Sequence, residues 1–170
     1  MILIYDDLVK DNQAEFISKV QRIAANLGIS PHWLMAVMYI ESKLDPQAQS
    51  PVSSGVGLIQ FMSNTAISLG TSREELLAMS NIDQLDYVEK YYLQYKNKLN
   101  YFIDCYFAVF YPKAIGKYFD YVLGKVGLSA EKIAKQNPGL NWDQNEVLTR
   151  ADVQRSILYA IDAKYQQYLI

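Results

Sequence analysis

The sequence predicts a mainly α domain. Apolar residues recur at helical spacing in one segment after another, helix start and stop signals flank most of those segments, and strand signals are weak throughout. At 170 residues, 51% hydrophobic and 20% charged, the chain has the profile of one soluble globular domain. A chain of this length buries roughly 70% of its unfolded surface and needs no covalent staples.

The elements follow in order. After a short N-terminal segment, Asp11 or Asn12 caps a helix carrying Phe16, Ile17, Val20, Ile23, Ala24 and Leu27, which Gly28 closes. Ser30 is a good N-cap and Pro31 suits a first helical position, so a second helix carries Leu34, Val37 and Met38. Residues 44–56, rich in Pro, Ser and Gly, read as an ordered loop. A second core helix over 57–69 is ended by Gly70, and Thr71 with Glu74 forms a capping box for a short helix through Leu76, Leu77 and Met79. A longer helix spans 83–99, with Leu85, Val88, Tyr92, Tyr95 and Leu99 near helical spacing, and a strongly aromatic stretch over 101–111 ends or kinks at Pro112. Another helix over 114–126 is stopped by Gly127; a short helix after Ser129, a polar loop over 137–146 and a final helix from about Arg150 to Tyr168 complete the chain. The domain division is 1–126 as the main helical domain and 127–170 as a C-terminal helical extension packed as part of it.

Charge and cysteine content exclude several classes. The net charge of -2 provides no basic field for nucleic acid. One cysteine, Cys105, excludes an internal disulfide, and one histidine, His32, leaves no zinc cluster. Cys105 reads as a buried structural thiol and His32 as an exposed helix-start residue. The N-terminal apolar run meets Asp6 and Asp7 at once, without the basic region and apolar core of a signal peptide, and no later stretch is long enough to span a membrane. A substrate outside the cytoplasm therefore implies delivery by another route.

Glu41 is the candidate catalytic residue. Helical spacing puts it on the buried stripe after Leu34, Val37 and Met38, with His32, Tyr39 and Lys43 on the other side. An apolar setting disfavours the charged carboxylate, raising its pKa toward the range in which it donates a proton near neutral pH. The bland alternative is a helix-end glutamate that reaches water or pairs with Lys43.

The residues around Glu41 carry a resemblance. Glu41-Ser42, then Pro46, Ala48 and Ser50, then Gly55, Gly57-Leu58-Ile59-Gln60 and Thr65-Ala66, resemble the catalytic domain of soluble lytic transglycosylases, related in fold to goose-type lysozymes. That family has a Glu-Ser pair, a Pro-x-Ala-x-Ser loop, a Gly-Leu-Met-Gln turn and a Thr-Ala in the next helix; the loop here is longer by one residue at Ser53-Ser54. A downstream family block, Ala-x-Tyr-Asn-Ala-Gly, is matched in order and approximate spacing by Ala108 to Ala114, with Pro-Lys-Ala replacing Asn-Ala-Gly after Tyr111. The resemblance implies a lysozyme-like helical domain with an ordered active-site loop between two core helices.

It also implies a reaction: cleavage of the β-1,4 bond between N-acetylmuramic acid and N-acetylglucosamine in peptidoglycan, with Glu41 as acid and then base and a 1,6-anhydro product. An internal nucleophile makes a second catalytic carboxylate unnecessary. A hydrolytic muramidase of the same fold would need one about 6.5–9.5 Å away, for which Asp45 is the nearest candidate unless it caps a turn. A non-catalytic glycan-binding or virion structural protein is the reading from another class.

The candidate substrate-binding residues are Ser50, Gln60, Phe61, Tyr111 and Tyr118, with Gln60 and Tyr111 carried over by the resemblance. Ser50 could equally bond only the loop backbone, and Gln60 the loop carbonyls. Gly55 and Gly57 let the chain turn sharply and a ligand approach the backbone. Of the fourteen tyrosines, most follow helical spacing as core or boundary residues, leaving Tyr111 and Tyr118 to meet substrate. The stretch Asn141, Asp143, Asn145, Thr149 and Asp152 has oxygen ligands at the spacing of a degenerate EF-hand loop, with Glu146 where glycine is expected. It reads as a calcium candidate or as a metal-free turn; no other cofactor is implied. The expected partner is peptidoglycan, and the expected route is synthesis in the cytoplasm with phage or non-classical delivery to the wall, through virion or secretion-machine partners.

Overall fold

The computed structural model describes residues 2–124, 129–141, 143–144 and 146–170. The fold is mainly α. Its helices are α1 (Gln13–Leu27), α2 (Pro31–Ser42), α3 (Ser63–Ser68), α4 (Arg73–Ala78), α5 (Asn81–Leu93), α6 (Phe102–Phe110), α7 (Ala130–Gln136) and α8 (Arg150–Tyr159), with short 3-10 turns between several of them. Extended pairing among the described residues is limited to isolated bridges, Gln49 with Val56, Val56 with Phe61, and Val122 with Thr149. Among the described residues no single helix is long and apolar enough to cross a membrane.

By contact the chain forms two compact units, Met1–Asn97 and Lys98–Ile170. The boundary expected at 126/127 falls outside the described residues. In the first unit α1 packs against α2 and α5. Phe16, Val20, Ile23, Leu34, Met35, Val37, Leu85, Val88 and Tyr92 are buried there. Helix α2 is buried almost all round, because apolar residues cover its whole circumference rather than one stripe. His32 is therefore not exposed as expected: it is 9% accessible, and its Nδ1 accepts a 3.3 Å hydrogen bond from the Ile4 amide. That bond ties the buried segment Leu3, Ile4 and Tyr5 to the start of α2.

The second unit is fastened by a buried ion pair. The Arg150 Nη2 group of α8 donates to Asp104 Oδ1 of α6 at 2.7 Å. Asp104 also accepts from the amides of Asn100, Tyr101 and Gly116, and the Arg150 Nη1 group donates to the Lys117 carbonyl. These bonds take up the amide and carbonyl groups that a helix over 114–126 would have used, and Gly116 (φ +68°) and Gly124 (φ +93°) turn left-handed. Within 114–124 the chain is accordingly turns, after a 3-10 turn at Pro112–Ala114; Val126 and Gly127 lie outside the described residues. Burial of Cys105 is as expected, and it pushes the thiol pKa up, away from reactivity.

Other expected helices are shorter. Helix α5 stops at Leu93, and a left-handed Asn97 (φ +71°) follows. Helix α8 ends at Tyr159, where the Gln166 amide reaches back to donate to the carbonyls of Leu158 and Ile161. The capping box of α4 is made one residue later than expected: Ser72 Oγ accepts from the Glu75 amide, and Glu75 accepts from the Ser72 amide.

Candidate active site

Glu41 sits in the last turn of α2. The helix cannot continue, because Lys43 (φ +57°) and Leu44 (φ +64°) both turn left-handed and the Lys43 amide caps Met38 and Tyr39. Glu41 is half-buried, and burial pushes its pKa up from 4.5 to about 7. A last-turn carboxylate also faces the negative end of the helix dipole, which acts in the same direction. Lys43, the expected ion-pair alternative, is turned instead onto the Tyr39 ring at 3.8 Å, and Tyr39 stacks on Tyr5 at 3.7 Å. At neutral pH, Glu41 is thus poised between its proton-donating and proton-accepting forms.

The loop after α2 is held by its own polar groups. Asp45 Oδ1 accepts from the Gln47 amide at 2.9 Å, an Asx turn, so this carboxylate shapes the loop entrance. Ser50 Oγ accepts from the amides of Val52 (3.3 Å) and Ser53 (3.1 Å). The Gly57 amide donates to the Ala48 carbonyl at 2.8 Å.

The stretch expected to begin a core helix at Gly57 is a tight turn. Val56 and Phe61 exchange both backbone hydrogen bonds (3.1 and 2.8 Å), while Gly57 (φ +73°) and Gln60 (φ +52°) are left-handed. The helix, α3, begins only at Ser63. The Gln60 side chain donates to the carbonyls of Gly57 (3.2 Å) and Ala48 (3.4 Å), so its amide braces the loop. Phe61 is 2% accessible and meets Tyr91 edge-on at 6.5 Å between ring centroids.

Two features hold this turn beside Glu41. Ser42 Oγ lies 2.9 Å from the carbonyls of both Met38 and Leu58, so it links the end of α2 to the turn. The fully buried Gln84 of α5 accepts from the Leu58 amide at 3.0 Å and donates to the carbonyls of Pro46 (2.6 Å) and Leu76 (2.7 Å). A Cβ at Gly57 would lie 2.4 Å from Gln84 Oε1, so the bare face of this glycine is filled by Gln84 rather than left open to a ligand. Sequence reasoning passed over Gln84, although it carries the same signal as Glu41: a polar residue on an apolar helical stripe, beside Leu85 and Val88.

Tyr91 was also passed over. Its hydroxyl pKa is raised by burial first, then by the charge of Tyr95 and a hydrogen bond to it, and by the charge of Glu41. The last effect brings Tyr91 into the electrical surroundings of the carboxylate. Gln84, Val88, Tyr91 and Tyr95 follow helical spacing from α5 into the turn after it.

The remaining candidates belong to the second unit. Tyr111 caps α6, and its hydroxyl oxygen accepts from the Gly124 amide at 3.2 Å. Tyr118 is 87% accessible, in the turn region after Gly116. In the calcium candidate, Asn145 lies outside the described residues, and the Asp152 carboxylate is engaged as the capping box of α8, accepting from the Thr149 amide and hydroxyl. No group of three or more His, Cys, Asp or Glu suited to a metal ion occurs among the described residues.

The model of the transglycosylase SLT domain matches residues 18–106. The chain belongs to this family. The SLT match contains Glu41, Ser42, the Gly57–Gln60 turn, Gln84 and Tyr91, and it stops before Tyr111, Tyr118 and the Asn141–Asp152 stretch. No curated protein and no solved structure matches the chain. Membership in the SLT family makes this a transglycosylase-type protein that acts on peptidoglycan.

Proposed function

We propose that this SLT protein is a lytic transglycosylase that cleaves the β-1,4 bond from N-acetylmuramic acid to N-acetylglucosamine. The observation that carries the reading is Glu41, a half-buried carboxyl whose pKa burial brings to about 7, inside the matched family span. In its protonated form Glu41 gives a proton to the glycosidic oxygen as the bond from the muramic C1 breaks, and the freed glucosamine leaves with a 4-hydroxyl. The resulting carboxylate takes the proton of the muramic C6 hydroxyl, whose oxygen bonds to C1 and closes the 1,6-anhydro ring. One carboxyl therefore serves both steps, and no water is consumed.

Asp45 supports this over hydrolysis. An inverting hydrolase needs a second carboxylate free to activate water, whereas Asp45 Oδ1 is engaged by the Gln47 amide in a turn. Ser50, Gln60 and Phe61 contribute in this reading by shaping the loop beside Glu41, and Tyr111 and Tyr118 are proposed glycan contacts. The test is digestion of purified peptidoglycan by wild type and Glu41→Gln, with the released fragments weighed. Anhydro-muropeptides from wild type alone are expected. Reducing-end fragments would replace the reading with a muramidase, and binding without release would replace it with a glycan-binding protein.

A further inference from the structure

We infer that Gln84 is a positioning residue for the reaction at Glu41, acting through the backbone of Leu58. The inference rests on the proposed function of Glu41, but its geometry is independent of that reading. Both polar groups of the Leu58 backbone are held by side chains: the amide by Gln84 Oε1 at 3.0 Å, and the carbonyl by Ser42 Oγ at 2.9 Å, whose single hydrogen it shares with the Met38 carbonyl. Ser42 directly follows Glu41 in the chain. A continuous chain of hydrogen bonds thus runs from α5, through the Gly57–Gln60 turn, to the residue beside the carboxyl.

Gln84 is the member whose side chain can do this and little else. It is 0% accessible, and its amide hydrogens are both spent, on the Pro46 and Leu76 carbonyls. With the oxygen fixed toward Leu58, the amide cannot flip without setting its NH2 group against the Leu58 N–H and its oxygen against two carbonyls. The loop entrance, the turn and the end of α4 are therefore referred to one rigid point on α5. Two helical turns further along, Tyr91 packs on Phe61 and lies within the field of Glu41, so α5 grips both ends of the turn. A carboxyl that must first donate and then accept a proton depends on such fixed placement, because small displacements of a reacting group are costly in rate.

The test uses Gln84→Met, which keeps the volume and removes the hydrogen bonds, and Gln84→Glu. For a folded Gln84→Met, shown by its melting curve, kcat on peptidoglycan is expected to fall at least tenfold with KM changed less than threefold. The Leu58 amide is expected to exchange at least a hundredfold faster than in wild type, with the amide of Val20 in α1 unchanged. In Gln84→Glu, only the protonated carboxyl can accept from Leu58 and donate to one carbonyl, so its kcat relative to wild type should rise as pH is lowered. Wild-type kcat in folded Gln84→Met, or unchanged Leu58 exchange, would overturn the inference. If wild type itself releases no fragments, the proposed function fails, and the Leu58 exchange rate still decides whether Gln84 holds the turn.

Discussion

In the proposed reaction Glu41 stores a conflict between stability and function. Its pKa is raised by burial from 4.5 to about 7, so the folded chain binds this proton more tightly than the unfolded chain does. The associated stability is fully present below about pH 4.5 and is lost as pH rises through 7. Glutamine at this position carries no such dependence. Glu41→Gln should therefore be more stable than wild type at pH 8 by about 2 kcal/mol, the full linkage value being discounted for a side chain that is only half buried. At pH 4.5 the two should be nearly equal. Thermal melts of both proteins at the two pH values check this; a variant less stable than wild type at pH 8 would mean that the carboxylate is paired rather than desolvated.

At the scale of elements, the decisive piece is the turn rather than a helix. Gly57 takes a left-handed φ of +73° and leaves no room for a Cβ against Gln84. Gly57→Ala should cost about 2–3 kcal/mol, from backbone strain together with displacement of a buried hydrogen-bonded amide. Denaturant unfolding measures the loss, and a cost below half a kcal/mol would mean that Gln84 gives way freely.

The same turn marks where sequence reading stops. Gly57-Leu58-Ile59 before Gln60 is a short run without polar side chains beside a helix, and these three residues are indeed buried, but periodicity alone cannot separate a buried turn from the start of a helix. Its conformation is set by Gln84 and Ser42, which are 26 and 16 residues from Leu58 in the chain. Glu41 was legible because the anomaly was local, a carboxyl following apolar positions on one helix. Local signals also located α1 and α2 closely, through Gly28 and Pro31, and Pro112 follows the end of the aromatic stretch that forms α6. The turns after Pro112 were not legible, because the Asp104–Arg150 pair that organises them joins residues 46 apart in sequence. The left-handed Gln60, with its side chain folded back on the loop carbonyls, was similarly beyond a pattern that reported only its place in a motif.

On the scale of the whole molecule, the proposed chemistry lies in the unit Met1–Asn97, within the SLT match. Glu41, the Gly57–Gln60 turn, Gln84 and Tyr91 all belong to it. The unit Lys98–Ile170 has its own buried anchor in Asp104 and Arg150, and presents an exposed Tyr118. With a net charge of only -2, the protein brings no strong field to its substrate, and the account assigns the acid chemistry to one desolvated carboxyl. The pH dependence of kcat/KM for peptidoglycan cleavage tests that assignment most directly. A group that must enter the reaction protonated, with a pKa of about 7, predicts a rate that falls tenfold per pH unit above neutrality and is lost in Glu41→Gln. A rate that stays level from pH 6 to pH 9, or that survives the substitution, would contradict the account.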